Sequence, residues 1–296
     1  MVGARTDRTA RVRVMASDAR GWTSREDEVV LEEPLEIRVR PFGAPVATSV
    51  AVTMRTPGND FELAAGFLLG EGVLDRHDQI DRISYCPSPG SPQEFNVLEV
   101  RLAAHVPVDL TRLSRHVYTT SSCGVCGKGS IEQVRAAVPV LPRGAMRWTP
   151  EGLGELSGHL RRSQGLFART GGLHAAGLFS PPGKLLLARE DVGRHNAVDK
   201  IGGALLLSGR IPAPETLLLL SGRASFELVQ KAALFGIPTV ASVGAPSSLA
   251  VSLAKEFGQT LIGFLREGRF NIYTGPERVV HEAPPEGIPH PGSEGP

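Results

Sequence analysis

Thr216-Leu217-Leu218-Leu219-Leu220-Ser221-Gly222-Arg223-Ala224-Ser225-Phe226-Glu227 is the stretch that decides the fold class of this chain. Four leucines in a row, ended by Ser-Gly, are too short for a helix and lack the alternation of a half-exposed strand. They predict a strand buried on both faces, which occurs where helices cover both sides of a sheet. Working outward, apolar runs at 173–179, 184–188, 239–243 and 260–265 alternate with helical stretches near 194–207, 225–235 and 247–257. Thr149-Pro150, a cap followed by proline at the first helical position, starts another helix marked by Leu153, Leu156 and Leu160. This alternation predicts a layered α/β domain over residues 145–276.

The preceding half has a different rhythm. Residues 1–25 mix arginine with small polar residues and read as a flexible tail or edge strand, apart from the alternation Arg11-Val12-Arg13-Val14. Two short apolar runs between 28 and 40, interrupted by Glu32-Glu33-Pro34, suggest a hairpin, and a strand follows at 48–54. Asn59 and Glu62 form a capping box for a helix filled by Phe61, Leu63, Ala64, Phe67 and Leu68 and ended at Gly70. Strand-like runs at 80–85 and 95–102 flank a Pro/Ser/Gly loop. The expectation is an N-terminal mixed α+β domain with antiparallel strands over residues 26–138, and a proline- and glycine-rich disordered tail over 282–296.

Composition narrows the function. The chain is 41% hydrophobic, enough to bury a large core, and its formal net charge of +1 argues against a dedicated nucleic-acid binder. No run of about 18 apolar residues is present, and the N-terminal arginines lack the apolar stretch of a secretory signal. A cytoplasmic protein is expected, bound to neither membrane nor nucleic acid. In a reducing compartment its three cysteines do not suggest a disulfide framework. Cys86, beside Pro87 in a turn, reads as a bystander.

Two strand-to-helix loops share one chemistry: Ser221-Gly222-Arg223-Ala224-Ser225 and Ser242-Val243-Gly244-Ala245-Pro246-Ser247-Ser248. Free N–H groups at a helix start attract anions, and Arg223 adds a bidentate donor. Ser225, Gly244 and Ser247 equally suit ordinary caps and turns. Phe264-Leu265-Arg266-Glu267-Gly268-Arg269 places two arginines around a glycine turn after a buried strand, a clamp suited to a polyanion. The helix entrance Asp191-Val192-Gly193-Arg194-His195-Asn196-Ala197-Val198-Asp199-Lys200 is dense in charge: it reads as a well-capped helix start with internal ion pairs or as a pocket-facing segment in which Asp191, Arg194, His195 and Lys200 line a site.

The cysteine pair lies in Ser121-Ser122-Cys123-Gly124-Val125-Cys126-Gly127-Lys128-Gly129 (121–129), a loop whose glycines leave the backbone free to swing. Lys128 and the helix start at Ser130-Ile131-Glu132-Gln133 both favour thiolate over thiol. Four chemistries compete. A structural zinc half-site lacks a second cysteine pair, and a rigid thioredoxin-like dithiol conflicts with the glycine content. A nucleobase deaminase requires a glutamate that Leu173-His174-Ala175-Ala176 does not supply. Sulfur carriage as a persulfide suits a mobile, activated thiol.

The cysteine loop, the Asp191 to Lys200 segment, the two glycine-serine loops and Asn59-Asp60-Phe61-Glu62-Leu63-Ala64-Ala65-Gly66-Phe67-Leu68 together resemble the FdhD family of formate dehydrogenase accessory sulfurtransferases. The resemblance runs from about residue 29 to 273. It implies a sulfurtransferase that accepts sulfur from a cysteine desulfurase on Cys123, with Cys126 assisting, and passes it to Mo-bis(molybdopterin guanine dinucleotide) before insertion into formate dehydrogenase. By the same resemblance Phe264, Leu265, Arg266, Glu267, Gly268 and Arg269 bind that cofactor. It further implies a homodimer without a metal of its own, and a C-terminal three-layer α/β domain resembling the cytidine deaminase fold.

Overall fold

The computed structural model describes residues 8–86, 95–106, 138, 141 and 147–280. The leucine run behaves as its composition requires. It is β9 (Leu217–Leu220), central in a six-stranded sheet of order β12-β11-β10-β9-β7-β8. The other strands are β7 (His174–Ser180), β8 (Lys184–Asp191), β10 (Thr239–Ser242), β11 (Thr260–Arg266) and β12 (Arg269–Thr274). β9, β10 and β11 run parallel, and antiparallel β7–β8 and β12 flank them.

Helices cover both sheet faces. α2 (Pro150–Ser163) places Leu153, Leu156 and Leu160 against Leu217, Leu219, Ile262 and Leu265. Leu218, Leu220, Val240 and Leu261 face α4 (Arg194–Leu207), α5 (Phe226–Leu234) and α6 (Ser248–Glu256). Burial on both sides is why the strand sequence needs no alternation; each enclosed leucine contributes about 1.5–3 kcal/mol. Thr149 caps α2 as expected, its Oγ1 accepting from Gly152 N at 3.1 Å.

The N-terminal half carries a four-stranded sheet of order β4-β3-β6-β5, built from β3 (Glu33–Arg40), β4 (Thr48–Arg55), β5 (Ile80–Tyr85) and β6 (Val97–Leu102). Here period two reappears: Leu35, Ile37 and Val39 are fully buried while their neighbours are half-exposed. That face packs on α1 (Asp60–Gly70), whose other side meets α4. The α1–α4 crossing is so close that a Cβ on Gly66 would sit 1.8 Å from Asp199 O, and one on Gly203 1.8 Å from Glu62 O. A single hydrophobic cluster therefore runs through both of the domains read from the sequence.

Three local expectations change. For residues 1–25 the flexible tail gives way, from Thr9 onward, to the strand read beside it, in a two-stranded antiparallel ribbon of β1 (Thr9–Asp18) and β2 (Gly21–Val30). Its alternation is mostly of charged and small residues, so cross-strand pairs such as Arg11–Glu26 replace an apolar signature. The hairpin expected between 28 and 40 is absent, because β2 pairs with β1 and β3 pairs with β4 and β6. Asn59 stands before α1 in the left-handed region, with φ 60° and no side-chain cap. Asp60 accepts from Gly58 N at 3.1 Å instead, and Glu62 turns away to pair with Arg189.

Candidate functional site

The parallel strands end in three loops lying side by side. Gly244 N donates to Gly222 O at 3.0 Å, Ser247 N to Ala224 O at 3.0 Å, and Phe264 N to Gly244 O at 3.1 Å. The backbone at Gly244 is closely packed: a Cβ there would stand 3.0 Å from Arg223 Cγ and 3.1 Å from Gly222 O. Two serines in these loops part company. The Ser247 hydroxyl caps α6, accepting from Ala250 N at 3.2 Å. The buried Ser225 Oγ makes no hydrogen bond among the described residues.

Phe264 adopts φ 54°, a left-handed conformation that costs a non-glycine residue about 1–2 kcal/mol, and the residue is 42% exposed. The bulge there leaves Leu265 fully buried and Arg266 exposed. Arg266 and Arg269 face each other in register across the end of the β11–β12 hairpin, with Glu267 and Gly268 as its exposed tip. The turn lies where the sequence predicts it, whereas β12 beyond it carries no strand signal of its own.

A cavity of about 580 Å³ opens at these carboxyl ends, on the α2 side of the sheet. Ser221, Val243, Leu265 and Arg266 line it from the sheet, and His174 and Val192 from the β7–β8 end. The opposite wall comes from α2 and from α3 (Gly165–Thr170): Ser157, Arg161, Gln164 and Phe167. The Arg161 guanidinium lies over the Phe167 ring, 4.1 Å from its centroid, a cation–π contact. Gln164 is 5% exposed and lines the cavity. No sequence pattern singles out Arg161, Gln164 or Phe167, because tertiary packing alone brings them opposite Arg266.

Open sheets of this kind bind ligands beyond the carboxyl ends of their strands. Cations on facing walls, hydroxyls and an aromatic surface suit a ligand with a planar ring and anionic groups. Burial is the main cause that holds the His174 imidazole below its ordinary value, with the nearby charges of Arg194 and His195 acting the same way.

The Asp191 to Lys200 segment supplies scaffold more than site. Asp191 has no exposed surface, so the ligand-lining role expected of it does not hold. Its carboxylate accepts from Gly193 N at 2.8 Å, Asn196 Nδ2 at 3.0 Å and Thr56 N at 3.2 Å, and lies 2.6 Å from Lys200 Nζ. Lys200 also donates to Thr56 O at 3.1 Å, and burial pushes its ammonium below the ordinary lysine value. Thr56 Oγ1 accepts from Val192 N at 3.2 Å, so this buried pair pins a cavity-lining residue to the N-terminal half. Arg194 Nε is buried without a hydrogen-bond partner among the described residues, and His195 Nε2 lies 2.6 Å from Glu227 Oε2. Cys123 and Cys126 lie outside the described residues.

Fold and cavity define the class: a mixed α/β protein with two sheets on one core, whose carboxyl-edge loops border a cavity lined by apolar side chains and two arginines. The chain belongs to the FdhD/NarQ family, whose model matches residues 30–280. It is 51% identical over 265 residues to the sulfur carrier protein FdhD of Streptomyces coelicolor, covering 88% of this chain and 92% of the relative. Identity to the sulfur carrier protein FdhD of Mycolicibacterium paratuberculosis is 49% over 274 residues, 92% of this chain and 98% of that one. A crystal structure of a protein described as a formate dehydrogenase accessory protein, from Desulfotalea psychrophila, superposes with a TM-score of 0.71 at 27% identity, covering 93% of this chain and all of the other.

Proposed function

We propose that this chain is a sulfurtransferase that carries sulfur as a persulfide on Cys123 and delivers it to the molybdenum cofactor used by formate dehydrogenase. The relatives named sulfur carrier protein FdhD support sulfur carriage, and the Desulfotalea protein's description supports the link with formate dehydrogenase. The cavity between Arg161 and Arg266 carries the acceptor side of the reading, because it offers a ring surface and cations together.

In this reaction the Cys123 thiolate attacks the outer sulfur of a cysteine desulfurase persulfide. A sulfur–sulfur bond forms on Cys123 as the donor's bond breaks, and the donor cysteine leaves as thiolate, so the exchange is redox-neutral. The acceptor substrate is Mo-bis(molybdopterin guanine dinucleotide), its phosphates held by Arg266 and Arg161 and a ring set against the Arg161–Phe167 pair. Cys126 assists by attacking the Cys123 persulfide and releasing hydrosulfide, after which an external thiol reduces the disulfide left behind. The chain works in the cytoplasm as a homodimer; no helix among the described residues is long and apolar enough to cross a membrane.

Guanosine diphosphate, one arm of that acceptor, is the probe that tests the cavity. Arg161→Ala combined with Arg266→Ala is expected to weaken its binding by about tenfold or more in calorimetry, the scale of one lost charge-assisted contact. Binding indifferent to both changes would overturn the placement.

A further inference from the structure

The cavity wall bearing Phe167 does not stand by itself. α3 has six residues, far fewer than a helix needs for stability in water, and it stops at Gly171, where φ is 68°. Carboxylates hold it at both ends. At the start, Glu190 of β8 accepts from Phe167 N at 2.8 Å and from Leu166 N at 3.1 Å, satisfying free helix donors with a charge that complements the dipole. Near the end, Arg169 Nε donates to Glu28 Oε2 at 2.9 Å, and Arg169 Nη2 reaches the second Glu28 oxygen and Thr9 Oγ1.

Thr9 completes the junction by donating to Glu28 Oε1 at 2.6 Å. The Glu28 carboxyl is held below its ordinary value by these two bonds, Arg169 first and then Thr9. The end of the ribbon also presses on the cavity rim: a Cβ on Gly172, which lines the cavity, would lie 3.3 Å from Val30 Cγ1. Neither Glu28 nor Glu190 lines the cavity, and the family match begins at residue 30, so Thr9 and Glu28 precede it.

We propose that Glu190 and the β1–β2 ribbon, acting through Glu28, are positioning elements that hold α3 so that Phe167 stays beneath Arg161 as a ring-binding surface. This rests on the cavity being the acceptor site. Its consequence is selective: the latch governs recognition of the ring and leaves recognition of the phosphates to Arg266 and Arg161, which stand on β11 and α2. A loosened α3 therefore costs affinity for ligands that carry a ring and spares those that do not.

Calorimetry on the full chain with guanosine diphosphate and inorganic pyrophosphate separates the two contributions. Glu190→Gln is expected to weaken guanosine diphosphate about tenfold, because bonds to a charged acceptor are lost. Glu28→Arg, in an exposed ion pair, is expected to weaken it about two- to fivefold. Pyrophosphate affinity stays unchanged in both, the exchanged pair Glu28→Arg with Arg169→Glu restores the nucleotide, and hydrogen exchange at the Leu166 and Phe167 amides accelerates in Glu190→Gln. Equal weakening of both probes, or nucleotide affinity unchanged in both variants, would overturn the latch while leaving the cavity reading standing. A wild-type chain that binds neither probe would refute the cavity reading and the latch with it.

Discussion

The Asp191 to Lys200 entrance and the Phe264 to Arg269 turn are both dense in charge, yet the fold uses them oppositely. At the entrance, Asp191 and Lys200 are buried 2.6 Å apart, with their remaining hydrogen-bonding capacity given to Thr56, Gly193, Asn196 and the Glu190 carbonyl. At the turn, Arg266, Arg269 and Phe264 are exposed, and Phe264 holds a strained backbone. Charges satisfied within the protein build the frame; charges left open beside a strained residue are available to a ligand.

The largest expected effect breaks the frame. Lys200→Met leaves the Asp191 carboxylate buried and uncompensated, which is expected to cost about 3–5 kcal/mol in chemical denaturation. A loss below about 1 kcal/mol would mean that the pair contributes little to the frame. Next in size, Arg266→Ala is expected to leave stability within about 0.5 kcal/mol of wild type while weakening guanosine diphosphate severalfold. A comparable loss of stability would erase the distinction between the two regions.

The smallest effect concerns His174, which lies between them. Its folded-state value lies below that of an unfolded histidine, so the unfolded chain takes up a proton first on acidification. The associated stability is present above the unfolded value of about 6.5 and fades as pH falls through the folded one. His174→Asn is expected to flatten denaturation midpoints between about pH 7 and 5. Protonation also adds a cation to the cavity, so wild-type affinity for guanosine diphosphate should rise over the same range and that of His174→Asn should not; identical profiles would remove His174 from the account.

The C-terminal half was legible where local signals and burial agreed. Leu217–Leu220 needed no partner to be read as a central strand, and Thr149-Pro150 started α2 where the cap geometry places it. The β1–β2 ribbon was legible only at Arg11-Val12-Arg13-Val14, because β2 holds few apolar residues and pairs with β1 through charges and backbone. Likewise α3 has no cap within its own sequence; its cap is Glu190, some twenty residues downstream. Gly171-Gly172 was the one available signal, a helix stop with no helix yet assigned before it. For Asp191 and Lys200 the density of charge suits an internal ion pair and a site-lining role alike, and only the burial of Ala197, Val198 and Ile201 around Lys200 marks the pair as internal.

The central claim, sulfur carriage on Cys123, is tested most directly by incubating the full chain with a cysteine desulfurase and cysteine, then locating added sulfur by peptide mass spectrometry. One extra sulfur atom is expected on the Cys123 peptide, lost in Cys123→Ala and retained in Cys126→Ala. Sulfur loading that persists unchanged in Cys123→Ala would contradict the claim.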